Sequence, residues 1–247
     1  MAGVPLILGV DGGNSKTELA VATLDGGPVA YLRGPGSNSH AVGPERTAAF
    51  LSGLVARAEL TAPVVQGTFY LCGADIPADF AALTEALEQE SWVERAAVDN
   101  DIFALLRAGT DAADAVAVVC GAGINCAGRS GDGQVVRYPS LGWESGDWGG
   151  SVMLGRDVLF LAARGEDGRG EPTVLAQVLR DHFDLPVDEL GEAVRYGRIS
   201  EARLGEVAPV VVDAAAAVAR QLIERLAEEV VLMATRRWPT SGSPSGL

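Results

Sequence analysis

The chain has 247 residues, of which 48% are apolar and 6% aromatic, so it can bury a substantial core in one large domain or two small ones. Its 31 glycines indicate a loop-rich α/β protein rather than a disordered chain. The formal net charge of −14 argues against nucleic acid and anionic membrane surfaces as partners.

Cysteine usage and hydropathy predict a cytoplasmic protein. Cys72, Cys120 and Cys126 form no C-x-x-C pair and are odd in number, so we expect free thiols that serve as small core residues. The N-terminus has no basic segment and its short apolar run stops at Asp11, so no signal peptide is expected. No apolar run approaches the length of a transmembrane helix, and the two isolated histidines do not indicate a metal site.

The first predicted elements lie in LILGVDGGNSKTELAVATLDG, residues 6–26, where an apolar strand leads into a glycine-rich turn. A P-loop requires G-x-x-x-x-G-K-[ST] followed by a helix, but Asn14 occupies the second glycine position. The residues after the turn alternate with a period near two, which predicts a strand. The turn is therefore interpreted as the tip of a β-hairpin, whose glycines permit a nest of backbone N–H groups for an anion. An ordinary hairpin turn is the alternative, although it needs neither Lys16 nor Thr17.

The sequence of the first half of the chain predicts a hairpin followed by alternating strands and helices. In chain order, the pattern predicts strands at about 6–10, 17–24 and 28–33, a helix from Pro44, a strand within 65–75, a helix over 77–90, a strand over 95–101 and a helix directly after it. This order predicts a mixed sheet with helices packed on it.

The pattern restarts near residues 110–114. A strand, a glycine-rich turn at 121–123, a second strand, a turn at 131–133 and a third strand repeat the opening order in topology rather than in sequence. From residue 151 the chain is predicted to be mostly helical, with short amphipathic helices in VLAQVLRDHF and DELGEAVRYG and a long helix over 205–237. The final WPTSGSPSGL has no packing pattern.

Five motifs in the first two-thirds of the chain together resemble one family. They are GVDGGNSKT (9–17), GSNSH (36–40), VDNDIFALLRAG (98–109), VVCGAGINCAG (118–128) and GDWGGS (146–151). Their order is similar to that of the N-acetylglucosamine kinase-like group of the BadF/BadG/BcrA/BcrD ATPases, within the sugar kinase/actin/heat-shock protein superfamily. The resemblance implies an α/β fold of two ribonuclease H-like (actin-like ATPase) domains, each a mixed sheet flanked by helices, at residues 1–112 and 113–247.

The resemblance implies that two glycine loops, facing each other across a cleft, bind Mg-ATP. The implied nucleotide-binding residues are Gly12, Gly13, Asn14, Ser15, Lys16 and Thr17 in the first loop and Gly121, Ala122, Gly123 and Asn125 in the second. Asp11 would hold Mg²⁺, usually through water, because this hard cation keeps several waters and needs only one or two carboxylates. The family more often has Gly-Thr-Gly-Ser in the second loop, so Ala122 and Ile124 lack two hydroxyls that could donate to phosphate. A plain β-turn is the alternative for this loop.

Asp101 is the residue that the resemblance marks as the catalytic base. It follows a strand and opens a helix, which is the edge of an α/β sheet where ligands bind. In phosphoryl transfer a carboxylate orients the attacking hydroxyl and accepts its proton. The alternative is a structural N-cap that stabilises the following helix by about 1 kcal/mol.

The resemblance places sugar contacts at Asn38, Asp101, Gly142, Trp143 and Asp147. Amide and carboxylate groups suit sugar hydroxyls, and an indole suits an apolar sugar face. Trp143 and Trp148 could equally anchor a hydrophobic core. The implied activity is transfer of the γ-phosphate of ATP to an amino sugar, with the 6-OH of N-acetylglucosamine favoured and glucose-like or muramyl-type sugars as alternatives.

Other roles and partners are weighed against the kinase. One rival is an ATPase activator that holds an iron–sulfur cluster between subunits through cysteines; a second is a sugar-responsive regulator, although no basic N-terminal extension is present. A third is a non-catalytic sugar- or nucleotide-binding remnant. The resemblance predicts a strand, a Gly-Gly loop that contacts adenosine and a final helix after Arg237, none of which WPTSGSPSGL supplies. We therefore expect a second domain that is incomplete at its C-terminus. A homodimer formed through the helices of this domain is a separate possibility, which no motif of the sequence indicates.

Overall fold

The protein divides into two compact units. The computed structural model describes residues 4–214 and 217–235, of which those up to Ala117 form the first unit and those from Val118 onward the second. The expected strand, Gly-Gly loop and helix after Arg237 concern residues that lie outside the described ranges, as do the last two residues of the predicted 205–237 helix.

The first unit is built on a five-stranded sheet in the order β3-β2-β1-β4-β5. Its strands are β1 (Leu6–Gly12), β2 (Lys16–Thr23), β3 (Pro28–Pro35), β4 (Val64–Leu71) and β5 (Ala96–Asp99). β2 is antiparallel to β1 and β3, whereas β4 is parallel to β1 and β5. The sheet is therefore mixed, as the strand order of the sequence predicts.

Helices cover this sheet and leave one edge for loops. They are α1 (Ser39–Val42), α2 (Pro44–Ala56), α3 (Pro77–Glu88) and α4 (Ile102–Gly109). Both α2 and α3 begin with proline, whose fixed φ suits the first helical turn. Leu51 of α2 and Leu83 of α3 pack with Phe69 of β4 in one hydrophobic core. Because β1, β4 and β5 are parallel, their carboxyl ends meet at the same edge of the sheet.

The second unit combines a small sheet with a larger helical part. The sheet has the order β6-β7-β8, with strands β6 (Ala115–Cys120), whose first three residues precede the unit boundary, β7 (Ile124–Arg129) and β8 (Val135–Arg137). The helices are α5 (Gly150–Glu166), α6 (Leu175–Phe183), α7 (Val187–Arg195), α8 (Glu201–Leu204), α9 (Ala208–Asp213) and α10 (Ala217–Thr235). Short 3-10 segments lie at Gly142–Ser145 and Gly205–Val207. Val158, Leu179 and Leu190 are among the residues of its core.

The prediction of one continuous helix over 205–237 is wrong. The chain passes from a 3-10 segment into α9, and Ala214 then has an extended backbone with φ −71° and ψ 121° before α10 begins. The alanine-rich pattern favours helix locally, but Val207 and Val211 are buried in the helical core and fix the direction of the first part. Tertiary packing has overridden helix propensity here.

The three cysteines have different environments. All are free; Cys126 is buried, Cys72 is half-buried and Cys120 is exposed. The expectation of core thiols is thus confirmed for Cys126 and wrong for Cys120, because β6 leaves several of its side chains exposed. No helix within residues 4–214 and 217–235 has both the length and the apolar character needed to cross a membrane.

Two helix-interior glycines of the second unit give a matched test of this packing. A Cβ at Gly155 in α5 would lie 2.1 Å from the carbonyl oxygen of Leu204, whereas a Cβ at Gly191 in α7 would meet nothing within 4 Å. Gly155→Ala should lower the free energy of unfolding by more than about 2 kcal/mol, because the backbone must shift. Gly191→Ala should raise it by about 0.4–1 kcal/mol, because alanine favours helix and restricts the unfolded chain. Urea denaturation followed by circular dichroism measures both, and a destabilising Gly191→Ala would contradict the packing.

Candidate functional site

The first glycine loop is the turn of a β-hairpin. Residues 13–15 join β1 to β2, and the backbone N–H of Gly13 donates to the carbonyl of Lys16 at 2.9 Å. The hairpin register pairs Gly12 with Thr17 and Asp11 with Glu18. The prediction of a hairpin rather than a P-loop is confirmed.

A second segment supports this turn from the protein side. The N–H of Ser37 donates to the carbonyl of Gly13 at 3.0 Å, and the buried hydroxyl of Thr17 donates to the Ser37 hydroxyl at 2.8 Å. A Cβ at Gly36 would lie 2.0 Å from the carbonyl oxygen of Asn14, so only glycine fits there. The Thr17 side chain therefore shapes the loop, while Asn14, Ser15 and Lys16 are exposed at its tip.

The positively charged residue of this loop, Lys16, forms an ion pair with Glu18 of the same hairpin. Lys16 Nζ lies 2.7 Å from Glu18 Oε2, and the Tyr31 hydroxyl donates to Glu18 Oε1 at 2.8 Å. The hydrogen bond from Lys16, followed by that from Tyr31, lowers the pKa of Glu18. Exposed ion pairs contribute little, so Lys16 can exchange Glu18 for a phosphate at small cost.

Asp11 lies at the end of β1, directly before the loop. Partial desolvation raises the pKa of Asp11, and the facing charge of Glu18 raises it further, while Lys16 opposes both effects. Within the described ranges, no group of three His, Cys, Asp or Glu side chains is arranged to enclose a metal. A Mg²⁺ ion that keeps most of its waters needs only one or two carboxylates, so the carboxylate of Asp11 is a suitable ligand for this ion.

The loop after β4 gathers acidic residues beside the hairpin. The N–H of Cys72 donates to the carbonyl of Gly12 at 2.8 Å. Burial raises the pKa of the Cys72 thiol to about 12, with further contributions from the negative charges of Asp101, Asp75 and Asp11. Those three carboxylates therefore share one neighbourhood, at the edge where β1, β4 and β5 end.

Asp101 is half-buried at the first residue before α4. Its side chain makes no capping hydrogen bond; instead Asn100 Oδ1 accepts the N–H of Ile102 at 3.2 Å. Asp101 thus occupies the N-cap position that the cap interpretation gives it, but the side-chain bond to the helix start comes from Asn100. Asn100 and Asp75 were not among the residues predicted for the site. Their signals in the sequence are the amide between two aspartates in VDND and the acid that follows a buried strand.

Asn38 connects the predicted sugar contacts to the hairpin. Its Nδ2 donates to Asn14 Oδ1 at 3.2 Å, and its Oδ1 accepts the N–H of Ala41 at 3.2 Å to cap α1. The first unit thus brings together the predicted residues Asp11, Asn38 and Asp101 with the hairpin loop.

In the second unit, the turn between β6 and β7 is tied to the start of α5. The carbonyls of Gly121 and Ala122 accept the N–H groups of Ser151 at 2.7 Å and Val152 at 3.1 Å. Gly150 has φ +78°, and a Cβ there would lie 2.5 Å from the carbonyl oxygen of Ala122. Backbone contacts therefore fix this loop, without the two hydroxyls that the family more often supplies.

The residues after this turn have structural contacts. Ile124 is 5% exposed and packs in a small cluster with Cys126 and Met233. Asn125 Oδ1 accepts a hydrogen bond from the Ser140 hydroxyl at 2.7 Å. Ile124 is thus a core residue of the second unit.

The segment around Asp147 is a tight, internally bonded turn. The N–H of Asp147 donates to the carbonyl of Gly142 at 2.9 Å, and its carboxylate accepts a hydrogen bond from the Ser145 hydroxyl. Gly142 and Gly146 both have φ +77°, a conformation that glycine adopts without strain. Asp147 itself is 7% exposed.

The two tryptophans of this segment differ in role. Trp143 is 74% exposed, so the interpretation of it as a core anchor is wrong. Trp148 is 8% exposed, and the Arg225 guanidinium lies 3.8 Å from its ring centroid while pairing with Asp157 at 3.0 Å. Trp148 is therefore the core anchor. The facing of the two glycine loops across a cleft stays a prediction.

The close approach of Gly36 to the hairpin turn can be tested with a matched strand glycine. Gly36→Ala should lower the free energy of unfolding by more than about 2 kcal/mol, because its Cβ would overlap the Asn14 carbonyl. Gly9→Ala should change it by less than about 1 kcal/mol, because its Cβ would meet nothing within 4 Å. Urea denaturation measures both values, and similar losses for the two variants would show that the Gly36 contact does not constrain the loop.

The thiols give a pH-dependent test. Burial raises the pKa of Cys126 to about 11 and that of Cys72 to about 12, so both stay protonated at pH 8. The thiolate is the reactive form, so iodoacetamide should modify the exposed Cys120 first. Both pKa values are raised from 9.0, so the folded state is stabilised while the two thiols stay protonated. This contribution to the free energy of unfolding is fully present below pH 9 and is lost as the pH rises towards 11–12. Peptide mass spectrometry after timed alkylation measures the order, and early labelling of Cys72 would contradict its environment.

The chain is similar in sequence to two proteins that are named as sugar kinases. Over 192 residues the chain is 27% identical to the N-acetylmuramic acid/N-acetylglucosamine kinase of Clostridium acetobutylicum, which covers 74% of this chain and 61% of that protein. Over 202 residues it is 25% identical to the N-acetyl-D-glucosamine kinase of Dictyostelium discoideum, covering 74% of this chain and 62% of that protein. The chain thus spans about three-fifths of the length of these relatives.

The fold is similar to a solved structure, that of a candidate N-acetylglucosamine kinase from Chromobacterium violaceum. The TM-score is 0.77 at 23% identity, over 94% of this chain and 82% of that one. This likeness confirms an α/β fold with a mixed sheet and flanking helices. The profile of one family matches residues 8–235. Since that match covers most of the chain, the protein belongs to the BadF/BadG/BcrA/BcrD ATPase family.

Proposed function

We propose that the protein is an ATP-dependent sugar kinase that transfers the γ-phosphate of ATP to a hydroxyl of an amino sugar, with N-acetylglucosamine as the favoured substrate. The observation that carries the proposal is the neighbourhood of Asp11, Asp101 and the first hairpin loop at one edge of the sheet. The names of the two curated relatives support the substrate class. Muramyl-type sugars are the alternative that the Clostridium acetobutylicum relative suggests.

In this proposal the two glycine loops bind the phosphates of ATP. The turn at 13–15 offers backbone N–H groups, and Lys16 leaves Glu18 to meet the phosphate charge. In a chain of net charge −14 this local arrangement must overcome the long-range repulsion of an anion. Gly121, Ala122, Gly123 and Asn125 supply the second contact, and the backbone bonds of that turn to α5 support its fixed shape.

Asp11 is the residue that would hold Mg²⁺. When bound, this ion neutralises charge on the β- and γ-phosphate oxygens. The carboxylate lies beside Gly12 and opposite Glu18, so it provides an oxygen ligand next to the loop that would carry the phosphates. Asp11 also lies opposite Glu18, and the two carboxylates repel each other when both are ionised. A bound cation would reduce this repulsion.

Asp101 would orient the sugar hydroxyl and accept its proton. The side-chain hydrogen bond to the start of α4 comes from Asn100, and this division between the two neighbouring residues supports the role. Asn38 and Asp147 would bind other sugar hydroxyls, with Gly142 shaping the turn that presents Trp143. The exposed indole offers a flat face to the apolar side of a sugar ring.

The proposal also assigns residues 1–112 and 113–247 to two ribonuclease H-like domains, which the division into two compact units supports. It places the protein in the cytoplasm with a small-molecule sugar as its partner. Association into a homodimer through helices of the second domain is part of the same proposal, and size-exclusion chromatography with light scattering tests it.

The decisive experiment is a coupled ADP-release assay with Mg-ATP and a panel of sugars: N-acetylglucosamine, glucosamine, glucose and N-acetylmuramic acid. Asp101→Asn should lower kcat by about 10²–10⁴-fold, because the amide cannot accept the proton, while the KM for ATP changes little. Circular dichroism checks that the variant is folded.

The matched control is Asp99→Asn, two residues earlier. The introduced amide retains an oxygen that can accept the N–H of Asn100, as Asp99 Oδ1 does at 2.8 Å, so kcat should stay within about threefold of the wild type. ADP release that no sugar stimulates would overturn the proposed function. Sugar-stimulated turnover that survives Asp101→Asn would overturn the role of Asp101 alone.

A further inference from the structure

Asn100 precedes Asp101 and is only 1% exposed. A polar side chain buried to this extent costs free energy unless its hydrogen-bonding groups are paired. Its position between β5 and α4 places it directly beside the residue proposed as the catalytic base. The role of Asn100 therefore follows from what its amide contacts.

The Asn100 side chain joins two segments that are distant in sequence. Its Nδ2 donates to the carbonyl of Ala74 at 3.0 Å and to Asp75 Oδ1 at 2.9 Å. Its Oδ1 accepts the N–H of Ile102 at 3.2 Å. One amide thus links the loop after β4 to the first turn of α4.

The same loop is held from its other side by α3. The N–H groups of Asp75 and Ile76 both donate to Asp79 Oδ2, each at 3.0 Å. Asp79 fixes the backbone of the loop to α3, whereas Asn100 fixes it to α4. These two attachments can be removed separately.

The chemistry of these contacts requires an amide. An aspartate can accept the N–H of Ile102, but when ionised it donates nothing to Ala74 and repels Asp75. An alanine leaves the Ala74 carbonyl and one Asp75 oxygen without the Asn100 donor. Asn100 therefore matches its three partners in both donor and acceptor character.

We propose that Asn100 is a positioning residue for phosphoryl transfer: it locks the loop after β4 to the start of α4 and thereby fixes the direction in which Asp101 meets the sugar hydroxyl. This inference rests on the proposed kinase function. The electrostatics around Cys72 agree with it, because the charges of Asp101 and Asp75 both act on that thiol and the two carboxylates therefore lie in one neighbourhood.

The test compares Asn100→Ala with Asp79→Ala in the full chain, using the sugar that gives the highest turnover. Asn100→Ala should lower kcat by at least about tenfold, with the KM for ATP changed by less than about threefold, because a misdirected base affects the chemical step. Asp79→Ala should lower the free energy of unfolding through its lost bonds to the same loop, yet retain kcat within about threefold.

The pH profile of Asn100→Asp separates positioning from general loss of stability. At pH 8 the introduced carboxylate and Asp75 repel each other, so turnover relative to wild type should be low. At lower pH the pair shares one proton, which restores a donor to Asp75, so the ratio of variant to wild-type kcat should rise as the pH falls towards 5.5. The other ionisable groups near this amide are Cys72, Asp79, Asp99 and Asp101. In Asn100→Ala no proton can restore the contact, so its ratio to wild type should stay flat.

The outcomes distinguish this inference from the proposed function. An active wild type with an Asn100→Ala variant of equal kcat, or an Asn100→Asp ratio that is independent of pH, overturns the positioning role and leaves the kinase intact. Equal kcat losses in Asn100→Ala and Asp79→Ala also overturn it, because a general effect of the loop would then suffice. A wild type that no sugar stimulates overturns the proposed function and this inference with it. If Asn100→Ala does not fold, the pH ratio of Asn100→Asp decides.

Discussion

One backbone hydrogen bond organises the candidate site of the first unit. The N–H of Cys72 donates to the carbonyl of Gly12, the last residue of β1, which extends the parallel β1–β4 ladder one residue beyond the end of β4. The glycine turn and the loop after β4 consequently leave the sheet side by side. β5 is parallel to β4 and delivers Asn100 and Asp101 to the same edge. The site thus depends on strand direction and register before any side chain is considered.

The chemistry of this edge is dominated by negative charge. Burial raises the pKa of the Cys72 thiol to about 12, and the charges of Asp101, Asp75 and Asp11 add to this shift, in a chain that is strongly acidic overall. Such a cluster is poorly matched to a bare polyphosphate, and it suits a nucleotide that arrives with its divalent cation. Lys16 is exposed and paired with Glu18, so it can contribute a mobile positive charge. The electrostatics therefore agree with the kinase proposal.

Much of the fold follows from local sequence signals. The period of two after the first glycine turn predicts the hairpin, and Pro44 and Pro77 mark the first residues of α2 and α3. The site was predictable only in part. The two acceptors of the Asn100 amide N–H groups lie 25 and 26 residues away along the chain, so no local pattern reveals them. The break at Ala214 has the same origin, because the helical core rather than the alanine run sets the path of α9.

The attachment of the 121–123 turn to α5 bears on how the sequence of this turn can change over evolutionary time. Its shape comes from carbonyl groups, which every amino acid possesses, and from the space that Gly150 leaves for them. We therefore expect the shape of the turn to survive a change of residue type at position 122, whereas a side chain at position 150 would collide with the turn. A search for remote homologues of this protein should accordingly weight the glycine at the helix start above the residue types within the turn.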